Sequence, residues 1–248
     1  MNQTIRIEDF LPKYPNVNQS KYDVLNPYQD DFYEAIFHKK EFYDNRLERT
    51  EVIPKEKGVL MKHQQTIARY MSSHTPYDRL LMIHFPGSGK TCSAIGAIEQ
   101  IRSETNLFTG AIILAKNEKI ITNFINEIVT KCTPGCYIPK DYEKLADEDK
   151  KKRRKKAVQH FYHGYTFVKF AKTLQTMSDH DIIESYSNKI IIVDEAHNLH
   201  SSSPTKKESE ETYNQFHRFL HMIKNSKVLF LTGTPMKDTI DEIASLSN

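Results

Sequence analysis

Short runs of apolar residues alternate along this chain with longer segments in which apolar residues recur every three or four positions. The short runs predict buried strands, and the longer periodic segments predict amphipathic helices. The predicted strands cover residues 80–83, 110–115, 188–193 and 227–231, with a further strand or strand end at 165–170. The run at 188–193 shows no polar alternation, which predicts a central parallel strand covered on both faces.

Helices are predicted between these strands, at residues 60–71, from 92 onward, at 117–131 and at 212–224. The polar segment 201–210 is predicted to be a loop. Strands that alternate with helices predict an α/β fold, with a mainly parallel sheet covered by helices on both faces. Ligands of such sheets bind at the carboxyl ends of the strands.

The first 57 residues differ from the rest, because they are polar, rich in tyrosine and interrupted by prolines. Residues 30–43 predict a helix that begins with acidic residues and carries Phe32, Ile36 and Tyr43 on one face. This segment has too few aliphatic residues for a core of its own. We therefore predict a helical N-terminal extension, 1–57, that packs on a main domain, 58–248; a free interaction tail is the alternative.

Composition narrows the class of protein but not its chemistry. The 248 residues are 38% hydrophobic and 27% charged with a net charge of +3, as in ordinary globular proteins. No apolar run approaches the length of a membrane span, and the first residues do not resemble a signal peptide. The three cysteines, Cys92, Cys132 and Cys136, predict no disulfide framework and favour a reducing compartment. We expect a soluble intracellular protein without a membrane partner.

The strongest chemical signal follows the first predicted strand, where residues 84–91 are His-Phe-Pro-Gly-Ser-Gly-Lys-Thr and lead into a helix. A glycine-rich turn between strand and helix is typical of a phosphate-binding P-loop, although the general pattern has glycine where this chain has His84. The alternative is an ordinary glycine-rich turn. Backbone N–H groups and the helix N-terminus would surround the phosphates. The predicted nucleotide contacts are Pro86, Gly87, Ser88, Gly89, Lys90, Thr91 and Cys92.

Within this loop, Lys90 is predicted to reach the β- and γ-phosphates and Thr91 to hold Mg²⁺. Asp194 follows the strand at 188–193 and is predicted to be the second Mg²⁺ ligand, as in a Walker-B motif. Glu195 is the candidate for orienting the attacking water. Either carboxylate could instead be a helix cap or a surface acid.

Further polar residues lie near the same predicted edge of the sheet. His197 could couple the nucleotide to Thr232 and Thr234, which follow the last strand, or it could be structural. The side-chain amide of Gln64 could pair with N6 and N7 of adenine, since it has one donor and one acceptor side. The predicted catalytic set is therefore Lys90, Asp194, Glu195 and His197, with ATP and Mg²⁺ as the expected ligands.

Two other features leave alternatives open. The basic run 150–156 could contact nucleic-acid phosphates or serve as a localisation signal, or it could be a solvated helix balanced by the acids before it. Cys132 and Cys136 with His160 and His163 could be taken for a metal site, but the spacing of the cysteines is wrong for a zinc knuckle.

These motifs together resemble a known family. Gln64, Gly87–Thr91, Asp194–His197 and Thr232–Pro235 occur in the order of the Q-type, I, II and III motifs of superfamily 2 helicases and translocases of the DEAH type. Residues 114–124 resemble motif Ia, and residues 165–169 lie where a motif Ib strand is expected. The resemblance implies a RecA-like ATPase domain in a nucleic-acid-dependent motor.

Three local stretches are similar to the helicase-like NTPases of large cytoplasmic DNA viruses: poxvirus nucleoside triphosphatase I, the poxvirus early transcription factor, and relatives in African swine fever virus and giant viruses. They are residues 32–42, residues 75–77 and His84 before the P-loop. This resemblance implies a role in viral transcription, with DNA or RNA as a partner and viral RNA polymerase or transcription factors as further candidates. It also implies a location in cytoplasmic virus factories and virions.

The family pattern includes a second RecA-like domain that carries an arginine finger, and this sequence shows no second P-loop-like unit. We therefore expect the chain to be the N-terminal part of a longer protein, which binds nucleotide but hydrolyses it weakly alone. The main alternative function is an ATP-responsive interaction module of a transcription or packaging complex. A P-loop kinase or GTPase is disfavoured, since the motifs at 194–197 and 232–235 have no clear role there.

Overall fold

Five parallel strands form one sheet in the computed structural model, which describes residues 58–75, 77–85, 87–133, 135–137, 146–201 and 206–233. The strands are β1 (Arg79–Ile83), β2 (Ala111–Ala115), β3 (Tyr162–Thr166), β4 (Ile190–Asp194) and β5 (Lys227–Thr232). Their order in the sheet is β1-β5-β4-β2-β3, and every neighbouring pair is parallel. The predicted parallel α/β sheet is confirmed. The predicted N-terminal extension lies outside the described residues.

Seven α-helices connect or flank these strands within the described ranges. They are α1 (Lys62–Tyr70), α2 (Lys90–Glu104), α3 (Glu118–Glu127), α4 (Asp147–Val158), α5 (Phe167–Gln175), α6 (Asp179–Tyr186) and α7 (Lys206–Met222). A π-helical turn (Ile128–Cys132) extends α3, and a 3-10 helix (Ala196–Ser201) follows β4. None of the helices in the described part of the chain is long and apolar enough to cross a membrane.

The alternation of side chains along each strand builds a separate core on each face of the sheet. On β2, Ala111 and Ile113 face a cluster with α1, α2 and α3, whereas Ile112 and Leu114 face a cluster with α5, α6 and α7. All five residues of β4 are buried. This confirms that β4 is a central strand, because a strand is buried at every position only when both faces of the sheet are covered.

The strand before the P-loop is less buried than its four consecutive apolar residues predict. β1 is an outer strand of the described sheet and pairs with β5 alone. Met82 is buried, but Ile83 is 53% exposed. The strand is present as predicted, but the prediction that it is buried is wrong for most of its length, since an outer strand has a partner on one side only and is less covered.

Two element boundaries also differ from the prediction. Residues 167–170, predicted as strand, begin helix α5, because the Thr166 side chain accepts a hydrogen bond from Lys169 N and caps the helix. The apolar residues there belong to the 3.6-residue period that Phe170 and Leu174 continue into the core. Residues 206–210, predicted as loop, form the first turns of α7. The first turns of α7 have no apolar residues, so the hydrophobic pattern did not predict where the helix begins.

A disulfide joins Cys92 on α2 to Cys132 at the end of the π-helical turn, with a Cα–Cα distance of 5.1 Å. This contradicts the expectation of no disulfide, which was based on the count and spacing of cysteines; the pairing depends on the packing of the π-helical turn against α2. Cys136 is free and exposed. Since Cys132 is oxidised, it cannot join the metal site considered from sequence, and no cluster of potential metal ligands was found among the described residues.

Loss of this disulfide is expected to destabilise the domain. The bond closes a loop with a sequence separation of 40, and such cross-links contribute about 2 to 4 kcal/mol by restricting the unfolded chain. Cys132→Ser should lower the free energy of unfolding in urea by about that amount under oxidising conditions. Cys136→Ser is the matched control and should have no effect. Equal stability of wild type and Cys132→Ser without reductant would contradict this expectation.

Candidate nucleotide-binding site

The loop between β1 and α2 has the backbone geometry that a phosphate site needs. Gly87 and Gly89 have φ angles of +84° and +81°, which residues with a side chain rarely adopt. At Gly89, an added Cβ would also lie 2.5 Å from Nε2 of Gln64. Helix α2 begins at Lys90, directly after these glycines. Its N-terminal N–H groups and dipole are therefore available to an anion.

Two neighbouring side chains of helix α1, His63 and Gln64, form hydrogen bonds to backbone carbonyls of the loop between β1 and α2. Gln64 is buried, and its Nε2 donates to Gly89 O at 3.1 Å. The ring of His63 donates from Nε2 to Ser88 O at 3.2 Å, since a carbonyl can only accept. These two hydrogen bonds fix the carbonyls of the loop against α1, while Ser88 N donates within the loop to Phe85 O at 3.2 Å.

Both polar atoms of the Gln64 side-chain amide form hydrogen bonds with other residues of the chain. Its Oε1 accepts from Met61 N at 2.9 Å, while its Nε2 binds Gly89 O. In this arrangement the side chain positions the P-loop and the start of α1. Pairing of Gln64 with adenine stays a prediction, and it requires these two hydrogen bonds to be exchanged.

Two buried polar atoms of the P-loop have no hydrogen-bond partner within the described residues: Nδ1 of His84 and Oγ of Ser88. Burial lowers the pKa of His84, as do the neighbouring His63 and Lys90, which favours the uncharged ring. Buried polar atoms without partners cost about 1 to 3 kcal/mol each. A phosphate oxygen at this loop would relieve that cost by accepting hydrogen bonds, so the loop fits a nucleotide.

Lys90 lies between the two carboxylates at the end of β4, those of Asp194 and Glu195. Its Nζ donates to Oε1 of Glu195 and is 3.7 Å from Oδ1 of Asp194. Burial raises the pKa of the Asp194 carboxyl, while the Lys90 ammonium lowers it. A buried carboxylate needs a nearby positive charge. Lys90 supplies that charge here, and Mg²⁺ would supply it when a nucleotide draws the lysine towards its phosphates.

Glu195 has an unusual backbone conformation, with a φ of +52°. Non-glycine residues in this region are strained and often lie at functional sites. Asn198 holds the conformation, because its backbone N donates to Glu195 O at 2.9 Å and its Nδ2 donates to the same oxygen at 3.2 Å. With this conformation, the Glu195 carboxylate contacts Lys90, His197 and Gly233 N.

His197 connects the end of β4 to the end of β5. Its Nε2 accepts from Nδ2 of Asn198 at 2.9 Å, so its Nδ1 carries the proton in the neutral ring. That Nδ1 lies 2.8 Å from Oγ1 of Thr232 and 3.3 Å from Oε2 of Glu195. Gly233 N completes the link to the same Glu195 oxygen at 3.5 Å. The predicted coupling pair, His197 and Thr232, is therefore in direct contact.

The structure brings most of the predicted site residues to one end of the sheet. Gln64, the loop from Gly87 to Cys92, Asp194, Glu195, His197 and Thr232 all lie there. Thr91 is in the first turn of α2, but Cys92 is bonded to Cys132. Pro86 and Thr234 lie outside the described residues. The set of a hydroxyl and a carboxylate, Thr91 and Asp194, has the oxygen chemistry that Mg²⁺ prefers.

Three residues of this network, His63, Asn198 and Lys116, are not among those predicted from the sequence. Lys116 follows β2 and donates from Nζ to Oδ1 of Asn198 at 3.3 Å. Through Asn198, the end of β2 is therefore linked to Glu195 and His197. Their positions offered a signal, since each is adjacent to a predicted motif or strand end.

The ResIII family model, described as "Type III restriction enzyme, res subunit", matches residues 24–237, which is most of the chain. The chain belongs to the ResIII family. The described sheet therefore belongs to a helicase-family ATPase domain. The resemblance to superfamily 2 is thereby supported at the level of the family.

Viral proteins are among the relatives of this ResIII domain. The candidate helicase 087L of Invertebrate iridescent virus 3 is 36% identical over 97% of this chain and 24% of its own length. The candidate helicase 009L of Frog virus 3 is 36% identical over 75% of this chain and 19% of its own length. The chain therefore spans about a quarter or less of the relatives' length.

A solved structure also shows partial similarity to this ResIII domain. It is the SWI2/SNF2 ATPase core of Sulfolobus solfataricus in complex with dsDNA. The match has a TM-score of 0.48 and 17% sequence identity, and it covers 79% of this chain and 36% of that one.

Proposed function

We propose that this ResIII domain is the ATP-binding lobe of a nucleic-acid-dependent ATPase of the DEAH type. The observation that carries the proposal is the position of Lys90, which joins the P-loop to Asp194 and Glu195 at one end of the sheet. ATP is the proposed substrate and Mg²⁺ the proposed metal. The metal would neutralise charge on the β- and γ-phosphates.

In this proposal each side chain has a separate task. Lys90 leaves the carboxylates and binds the phosphates, and Thr91 and Asp194 hold the metal. Glu195 then has a free carboxylate oxygen to accept a hydrogen bond from water and orient it. His197 connects Glu195 to Thr232, so a change at the nucleotide can reach the end of β5.

A second lobe is proposed to cover the nucleotide. Phe85 is 84% exposed beside the P-loop and Ile83 is 53% exposed, which suits a surface that another domain covers. An arginine supplied by that lobe would stabilise the transition state and is worth about 10³ or more in rate. The proposed whole protein is a viral motor that acts on DNA or RNA during transcription, in cytoplasmic virus factories, with viral polymerase or transcription factors as partners.

The test compares nucleotide binding with turnover. The 248-residue chain is expected to bind a fluorescent ATP analogue in the presence of Mg²⁺, to hydrolyse ATP slowly, and to show little stimulation by nucleic acid. A longer protein that contains the second lobe should hydrolyse ATP about 10³-fold faster when nucleic acid is added. Both rates can be measured by phosphate release.

Two results would contradict the proposal at different points. Absence of ATP binding by the folded chain would overturn the nucleotide site itself. Fast, nucleic-acid-stimulated hydrolysis by the 248-residue chain alone would leave the site intact and overturn the requirement for a second lobe.

A further inference from the structure

Helix α4 is unlike the other helices described because it has almost no apolar face. Its sequence is Asp-Glu-Asp followed by seven cations, Ala and Val. Val158 packs in the core, and Ala157 is half-buried. Acids at its N-terminal end and cations at its C-terminal end suit the helix dipole, which explains why the segment is helical. Burial of apolar surface does not explain its seven consecutive cations.

Four of these cations are exposed: Lys152, Arg153, Lys155 and Lys156. Within the described part of the chain, none of the four forms an ion pair or a side-chain hydrogen bond. By contrast, the exposed Lys131 forms an ion pair, with its Nζ 2.8 Å from Oε1 of Glu127. Cations three and four positions apart on a helix repel one another. Glu148 and Asp149 precede this surface on the helix, but the four exposed cations bond to no acid among the described residues, so a polyanion could neutralise them.

The position of α4 separates this surface from the P-loop. Residues 159–161 join α4 to β3, which is one outer strand of the described sheet. The P-loop follows β1, the outer strand on the other side. Four strand spacings amount to roughly 19 Å. Changes of charge on α4 should therefore leave nucleotide binding unaltered.

We propose that the exposed cations of α4 form a nucleic-acid contact that binds backbone phosphates without reading sequence. The inference rests on the proposed nucleic-acid binding and adds a contact away from the carboxyl ends of the strands. Lysines act as flexible point charges, which suits phosphate neutralisation. Protein interfaces have an apolar or aromatic centre, and the exposed part of α4 offers none. A nucleic acid therefore fits this surface better than an acidic protein.

The test uses two matched triple variants of the chain. Lys152, Lys155 and Lys156 are replaced by Gln in one; Lys131, Lys207 and Lys224, which are exposed on other elements, are replaced by Gln in the control. Both variants lose the same charge. Binding of a fluorescein-labelled DNA duplex is measured from low to physiological salt. The α4 variant should reduce the slope of log K against log salt by about two to three units, since each phosphate contact contributes about 0.9.

The control variant should change that slope by less than about one unit, and both variants should keep the ATP affinity of the wild type. If the wild type binds the duplex and the two variants have the same slope, the α4 contact is overturned while the proposed function stands. If polyglutamate of equal charge binds as tightly as the duplex, the surface is an acidic-protein site. If the folded wild type does not bind the duplex even at low salt, both the α4 contact and the proposed nucleic-acid binding fail.

Discussion

Replacing Glu195 with Gln is expected to slow ATP hydrolysis by at least about 100-fold, because a carboxylate that orients and polarises water contributes 10² to 10⁴ in rate. The amide keeps the size of the side chain but cannot accept a proton. ATP affinity should stay within roughly threefold, or become tighter, since Lys90 loses a competing carboxylate. Single-turnover hydrolysis of radiolabelled ATP, with protein in excess, measures the chemical step even when turnover is slow.

The matched control is Glu184→Gln, which changes an exposed carboxylate on α6. It should hydrolyse ATP at the wild-type rate. Unchanged hydrolysis by Glu195→Gln would refute the water-orienting role of Glu195. The same variant distinguishes a motor from an interaction module: in the longer protein, a motor should lose ATP-driven movement on nucleic acid, whereas a docking module should keep its partner binding.

Replacing Lys90 with Ala is expected to weaken ATP binding by about 10- to 100-fold, because hydrogen bonds to charged groups contribute about 1.5 to 3 kcal/mol. The structure adds a second effect. Without Lys90, Asp194 and Glu195 lose the ammonium that lies between them, and burial would then raise the pKa of Asp194 further. Before nucleotide binds, the Lys90→Ala variant should therefore have an altered charge on the two carboxylates, in addition to lacking a phosphate contact.

Titration of a fluorescent ATP analogue measures the affinity, and thermal unfolding shows whether the domain stays folded. Lys90→Gln retains most of the side-chain length and serves as a second variant if Lys90→Ala unfolds. Lys224→Ala, an exposed lysine in the loop between α7 and β5, is the control for general loss of charge. Wild-type ATP affinity in a folded Lys90 variant would exclude the P-loop role of this residue.

Much of the sheet could be predicted because its signals are local. Four of the predicted strands lie within two residues of the observed ones, since apolar runs bounded by polar residues mark buried strands. The errors occurred where local patterns conflict. Phe167 continues an apolar stretch that resembles a strand. A helix begins there instead, because Lys169 N donates to the Thr166 side chain and Phe170 packs in the core.

The grouping of the site residues at one end of the sheet could be predicted from motif order, but their contacts could not. Gln64 was predicted to face adenine, and the structure shows its amide bound to Met61 N and Gly89 O. A side chain with both a donor and an acceptor suits either arrangement, so its sequence position could not decide between them. His63 carried no motif of its own, yet its position next to Gln64 brings it to Ser88.

By itself, the sequence determined the parallel α/β class, the glycine-rich turn between β1 and α2, and the acidic pair at the end of the central strand. Each of these depends on residues within a few positions of one another, through strand burial, the positive φ of Gly87 and Gly89, and the strand-to-helix turn. The tertiary structure alone decided the Cys92–Cys132 bond and the contact of Lys90 with Glu195. These partners are 40 and 105 positions apart, and only helix packing and strand order bring them together.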